Sequence, residues 1–218
     1  MWTLAFDTTT TFCSIALFDN HFKKDSYSQE MAFGQSEALM LNIQKMLESN
    51  HLTIQDLGLT AVCTGPGSFT GVRSSIAAAR AFALANKHMA LCGVTAFDAY
   101  LHALPTQPHA DNIAVLIETK REDYYVAYYN NDLSLLQAPK TAFFEDIVHD
   151  LQNKQVILIG DAVQRFLSKE PPLKIDTSLC ETHPNPDQIA LIALSRLEQK
   201  QNDFPIPLYL KGADICAK

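Results

Sequence analysis

Short apolar runs bracketed by turn residues open the chain, and their length and alternation predict strands at residues 1–6, 13–18 and 22–28, with Asp19-Asn20 as a hairpin turn. The period then changes. Leu39, Ile43, Met46 and Leu47 recur at helical spacing after Gly34-Gln35-Ser36-Glu37, which predicts a helix over 36–50. A strand at 59–63, an alanine-rich helix at 74–86, a strand at 89–94 and a helix at 97–104 complete this half. The second half repeats the order more faintly, with strands at 112–118, 124–129 and 133–137, a helix at 143–152 and a strand at 156–159. Gly160-Asp161 then opens a short helix to 167, a strand is expected at 173–175, and Ile189, Ile192, Ala193 and Leu197 line an amphipathic helix at 186–199. Both halves read β-β-β-α-β-α, which predicts an α/β protein of two similar lobes, residues 1–104 and 105–218. A linker is expected around 105–110, and the last helix is free to pack back on the N-terminal lobe.

The pattern is most distinctive at Thr64-Gly65-Pro66-Gly67-Ser68-Phe69-Thr70-Gly71-Val72-Arg73, between a predicted strand and the alanine-rich helix. Three glycines admit positive φ or the close approach of another group, and a loop that opens a helix aims N–H groups into one small volume suited to phosphate. No Gly-Lys-Ser/Thr closes it, so it is not a Walker A loop. Two readings stay open: a phosphate cradle built from Gly65 and Gly67 with Asp7 and Thr8 at the end of the first strand, or a sharp turn in which Asp7 caps its own backbone. The alanine face at 74–86 suits a close helix contact. With the neighbouring helix it predicts a partner surface at Leu39, Met40, Ile43, Met46, Ala78, Ala79 and Phe82.

Composition narrows the chemistry. Of 218 residues 47% are hydrophobic, ample for a core, yet no apolar run approaches the ~18 residues of a membrane span and the start lacks a basic signal-like region, so a cytoplasmic protein is expected. Acidic residues outnumber basic ones 24 to 17, a formal charge of -7 that disfavours direct tight RNA binding. The five cysteines are widely spaced and read as reduced thiols, mostly buried. The seven histidines never fall three or four apart, so no metal site is expected, and no Gly-x-Ser-x-Gly elbow supports Ser-His-Asp catalysis. The run Glu118-Thr119-Lys120-Arg121-Glu122-Asp123 reads as a solvated hairpin end, and Tyr124, Tyr125, Tyr128 and Tyr129 read as packed sheet residues.

At Asp7-Thr8-Thr9, at Ser36-Glu37, at Gly65-Pro66-Gly67-Ser68-Phe69-Thr70-Gly71-Val72-Arg73 and at Pro207-Leu208-Tyr209-Leu210-Lys211, the sequence resembles the TsaB (YeaZ) family. These are bacterial accessory subunits for threonylcarbamoyladenosine synthesis on tRNA. The resemblance implies a duplicated actin-like (ASKHA, RNase H-like) fold and a non-catalytic paralogue of TsaD. TsaD holds the metal and transfers threonylcarbamoyl from its adenylate to adenosine 37 of tRNAs that read codons beginning with A. It also implies a heterodimer with TsaD, engagement of the ATPase TsaE through that complex, self-association as a homodimer, and contact with tRNA only through the complex. No cofactor is then required, with weak ATP or ADP binding at Asp7, Thr8, Gly65 and Gly67 left open. Gln35, Ser75 and Glu118-Thr119-Lys120 depart from the family pattern. The alternatives are an ASKHA phosphotransferase, a glycoprotease-like peptidase, or a module that senses nucleotide without turnover.

Overall fold

The computed structural model describes residues 1–104, 110–201 and 203–211. The expected linker at 105–110 lies almost wholly outside the described residues, as do His109 and Cys216. The chain divides into two compact units, Met1–Leu104 with His183–Pro207, and Pro105–Thr182 with Leu208–Lys218.

In the first unit β1 (Trp2–Asp7), β2 (Phe12–Asp19) and β3 (Phe22–Glu30) form an antiparallel meander. Then follow α1 (Gln35–Ser49), a single 3-10 turn at Ile54–Asp56, β4 (Leu57–Cys63), α2 (Phe69–Ala85), β5 (Ala90–Val94) and α3 (Ala96–Leu101). β4 runs parallel to β1 and β5 parallel to β4, giving the order β3-β2-β1-β4-β5. The core explains the arrangement. Leu4, Phe6, Ile15, Leu17 and Val62 meet Leu39, Ile43, Met46 and Leu47 of α1 and Val72, Ile76, Ala79 and Phe82 of α2. Strand period two and helix period 3.6 thus turn the same apolar groups inward.

The second unit repeats the topology with β6 (Asn112–Glu118), β7 (Tyr124–Asn130), β8 (Lys140–Ala142), α4 (Phe144–Leu151), β9 (Gln155–Gly160), α5 (Val163–Leu167) and β10 (Lys174–Cys180), in the order β8-β7-β6-β9-β10. Position for position this is the first sheet again. Tyr124, Tyr128 and Phe166 fill its core beside Leu116, Leu158 and Ile147, as the tyrosine pattern predicts.

Two expectations need correction. Residues 133–137 are not a strand: only Leu135 bridges to Tyr129, Leu133 has φ 65, and Leu133, Leu135 and Leu136 are exposed, so no buried face sets a register. The third strand is β8 instead, paired to Tyr124, Tyr125 and Val126. Second, α2 begins at Phe69 and not at 74, because Ser68 caps it and accepts the Gly71 N–H on Oγ at 3.3 Å. The last helix, α6 (Pro186–Glu198), packs back on the first unit. Its Ile189, Ala190 and Ala193 are buried, it packs on β1, β2, β4 and β5, and Arg196 bonds the Gly93 carbonyl at 2.8 Å and Asp98 at 2.7 Å.

Where β9 ends, Gly160 has φ +127, and a Cβ there would collide with the Leu116 carbonyl oxygen. Both the backbone conformation and the space require glycine. Gly160→Ala is expected to cost about 3 kcal/mol, read as an earlier urea midpoint; a change below about 0.5 kcal/mol, the range of neutral surface changes, would contradict this packing.

Candidate functional site

The turn after β1 and the loop after β4 come together. Ser68 N–H donates to the Thr9 carbonyl at 2.7 Å, and Thr8 Oγ1 donates to the Gly71 carbonyl at 2.9 Å. The glycines serve this approach. A Cβ on Gly67 would sit 2.5 Å from the Thr9 carbonyl oxygen, and one on Gly71 would overlap that of Thr8. Backbone therefore occupies the side of Gly67 and Gly71 on which a Cβ would stand. Gly65 faces elsewhere: its carbonyl accepts the Ala96 N–H at 2.8 Å, tying the loop to α3.

Two groups beyond the predicted set complete this site. Ser75, fully buried, places its hydroxyl 2.7 Å from Thr8 Oγ1; since Thr8 donates to Gly71, Ser75 is the donor to Thr8. Its departure from the family pattern is the signal that marks it. Thr64 donates both its N–H, at 2.8 Å, and its hydroxyl, at 3.2 Å, to the Val94 carbonyl. Asp7 is fully buried at the end of β1, where Oδ1 accepts the Thr9 N–H at 3.0 Å and Oδ2 has no hydrogen-bond partner among the described residues. Burial pushes its carboxyl up to about 6, against the opposing pull of the Thr9 hydrogen bonds. Among the described residues no three His, Cys, Asp or Glu side chains gather as a metal site. Cys13, Cys63 and Cys92 are buried thiols, but Cys180 is exposed on β10, contrary to the reading of mostly buried thiols only in that one case.

In the second unit the equivalent junction is closed by charge. Arg165 bonds Glu118 Oε2 at 2.7 Å and the carbonyls of Arg121 at 3.0 Å and Asp123 at 2.9 Å, with its guanidinium 3.8 Å from the Tyr124 ring centroid. Asp161 Oδ1 accepts the Glu118 N–H at 2.9 Å. Lys211 pairs with the buried Asp123, which holds that carboxyl below its usual range together with Thr119, against burial that raises it. The run 118–123 is thus a hairpin end whose tip, Lys120, Arg121 and Glu122, is exposed while its base is clamped.

Burial removes most of the predicted partner surface. Leu39, Ile43, Met46, Ala79 and Phe82 lie in the core of the first unit, where no partner reaches them, and Ala78 is half-buried against that core. Of the predicted set only Met40 is exposed. Helical spacing identifies a stripe but not which stripe faces the sheet. The outward side of this helix pair carries Met40 and Leu41 on α1, and Phe69, Ala77, Ala81 and Leu84 on α2, with Leu84 81% exposed. Ser36 Oγ donates to Ser74 Oγ at 2.8 Å and joins the two helices.

Two copies of one β-β-β-α-β-α-β arrangement with the strand order 3-2-1-4-5 define a duplicated actin-like, ASKHA-type fold. YeaZ from Pseudomonas aeruginosa shares it, with a TM-score of 0.81 at 18% identity over 96% of this chain and 99% of that one. The chain belongs to the family described as TsaD: tRNA N6-adenosine threonylcarbamoyltransferase, whose model matches residues 30–148, more than half its length. It is also 26% identical over 216 residues, 95% of this chain and 96% of the relative, to the tRNA threonylcarbamoyladenosine biosynthesis protein TsaB of Buchnera aphidicola subsp. Baizongia pistaciae. The TsaB of Buchnera aphidicola subsp. Schizaphis graminum is 28% identical over 182 residues, 79% of this chain and 84% of the relative.

Because the folded state holds the Asp7 proton more tightly than the unfolded chain, the stability this group contributes is present below pH ~4 and lost as pH rises through about 6. Asp7→Asn keeps the acceptor for Thr9 and removes the buried charge. It is expected to gain about 1 to 2 kcal/mol at pH 7.5 and much less at pH 4.5, measured by urea unfolding at both. An Asn variant less stable than the parent at pH 7.5 would show that the carboxylate is compensated.

Proposed function

We propose that this chain is a non-catalytic accessory subunit in tRNA threonylcarbamoyladenosine biosynthesis, docking on a TsaD-type subunit through the outward side of α1 and α2. The observation that carries the reading is that side itself, where exposed Met40, Leu41, Phe69, Ala77, Ala81 and Leu84 are interspersed with exposed Glu37, Gln44, Arg73 and Arg80 on two joined helices. A helix face with alanines between larger apolar groups lets a second helix pair pack closely, and its burial removes exposed hydrophobic surface. The chain supplies no reacting group. Its role is to favour the competent state of the partner, which transfers threonylcarbamoyl to adenosine 37 of tRNAs reading codons beginning with A. A preference of about 1 to 3 kcal/mol for that state changes activity 5- to 150-fold.

The remaining parts of the reading follow from charge and packing. With 24 acidic against 17 basic residues the chain meets tRNA only through its partner, and a TsaE-type ATPase joins through the same complex. In the partner's absence the same apolar strip drives self-association. No cofactor is required in this reading, and the complex works in the cytoplasm; no helix among the described residues is long and apolar enough to cross a membrane.

Sedimentation of the chain mixed with a TsaD-type subunit tests this. A stable complex is expected, and Leu84→Glu or Met40→Glu should weaken it at least tenfold, since a buried unpaired charge costs several kcal/mol, while leaving the melting midpoint of the isolated chain unchanged. No complex, or one indifferent to both variants, would overturn the docking reading. The chain alone is expected to turn over ATP far more slowly than about 1 per second, the lower end of ordinary enzyme rates; faster turnover would overturn its non-catalytic part.

A further inference from the structure

Beyond α6 the chain returns to the first unit as a strap over residues 203–206, with neither helix nor strand structure. The Gly93 N–H of the edge strand β5 donates to the Asp203 carbonyl at 2.7 Å, and Pro205 is buried. The two backbones run so close that a Cβ on Gly93 would stand 2.9 Å from Pro205 Cα. From α2, Arg80 donates Nη2 to the Pro205 carbonyl at 2.8 Å and holds its guanidinium 5.0 Å from the Phe204 ring centroid. On either side of the buried proline, Phe204 and Ile206 are 57% and 67% exposed. We propose that this strap is a third element of the surface that takes the TsaD-type subunit, with Phe204 and Ile206 as its apolar anchors. The inference rests on the docking reading above.

Continuity is the first argument. Arg80 follows Ala77 by three residues and precedes Leu84 by four, so all three share the outward side of α2, and the strap that Arg80 binds borders that side. A partner seated on Leu84 and Ala77 therefore meets Arg80 and, beside it, the Phe204 ring. The bond to Pro205 also gives the Arg80 guanidinium an acceptor within the chain, so a contact that closes over it does not bury an unpaired charge. Preorganisation is the second argument. Ordering a loose segment opposes association, whereas here Gly93, Arg80 and the buried Pro205 hold the backbone before any partner arrives. Two large apolar side chains are thus presented to water from a fixed backbone, and covering them removes apolar surface from water at little further cost in chain entropy.

The test measures Kd for the TsaD-type subunit and the melting midpoint of the isolated chain, for the double variant Phe204→Ser with Ile206→Ser, for Ile206→Ser alone, and for Leu84→Glu as the control on the helices. The double variant is expected to raise Kd about tenfold or more with the midpoint unchanged, because both side chains are exposed in the free chain. Ile206→Ser, which leaves the Phe204 ring beside Arg80, is expected to raise Kd about threefold. Should the double variant lower the midpoint, the single variant decides, with the same threefold rise as the supporting result and none as the overturning one. If both strap variants stay within about twofold of the parent while Leu84→Glu weakens binding, the partner sits on the helices alone. The strap proposal is then overturned and the docking reading stands. If the parent chain has no affinity for the TsaD-type subunit, or Leu84→Glu and both strap variants all bind as the parent does, the docking reading falls and the strap proposal falls with it.

Discussion

Backbone meeting backbone, where the turn at residues 7–9 presses on the loop and first turn at 67–71, is the constraint on which the first unit depends. It requires glycine at 67 and 71, since any Cβ there would overlap carbonyl groups of Thr9 or Thr8. It starts α2 at Phe69, because the Ser68 cap is held by the Thr9 carbonyl. It also buries Asp7, leaving one carboxylate oxygen without a partner among the described residues. Each hydrogen bond in this joint contributes only about 1 kcal/mol net, but leaving one of its buried groups unmet costs about 1 to 3 kcal/mol. The joint therefore specifies one arrangement more strongly than it stabilises it.

The second unit solves the same geometric problem with different chemistry. Its sheet has the same order, and Gly160 again lets the chain after the fourth strand approach the first, here against Leu116. Where the first unit uses hydroxyls and glycines, the second uses the Arg165 guanidinium on Glu118, two turn carbonyls and the Tyr124 ring. Duplication preserved the topology because strand order and core periodicity define it, and left the turn chemistry free to diverge.

Much of this was legible in residues. Alternation and helical spacing place nearly every strand and helix within a few positions, and the duplication follows from their order. Thr8 and Thr9 meet Gly71 and Gly67 where the first turn and the glycine loop come together. What spacing could not convey is direction and depth. Ala79 and Phe82 lie on an apolar stripe that faces the sheet, whereas Ala77, Ala81 and Leu84 lie on one that faces outward, and a helix carrying alanines on both sides has no periodic signal to separate them. The start of α2 was hidden because Gly71 looks like loop, although the close approach of Thr8 is what selects it. The strand at Lys140–Ala142 is too short to announce itself, while Leu133, Leu135 and Leu136 imitate one. The return of α6 to the first unit is a tertiary fact carried by Arg196 and a buried apolar face.

Hydrogen exchange read peptide by peptide, on the chain alone, with Mg-ATP, and with a TsaD-type subunit, tests the account most directly. The account predicts that the partner slows exchange in peptides from α1 and α2 and that ATP changes nothing at residues 7–9 or 64–71, because that joint is already closed. Protection of residues 7–9 and 64–71 by ATP, with α1 and α2 unaffected by the partner, would contradict it: the glycine loop would then be a ligand site and the helices ordinary packing elements.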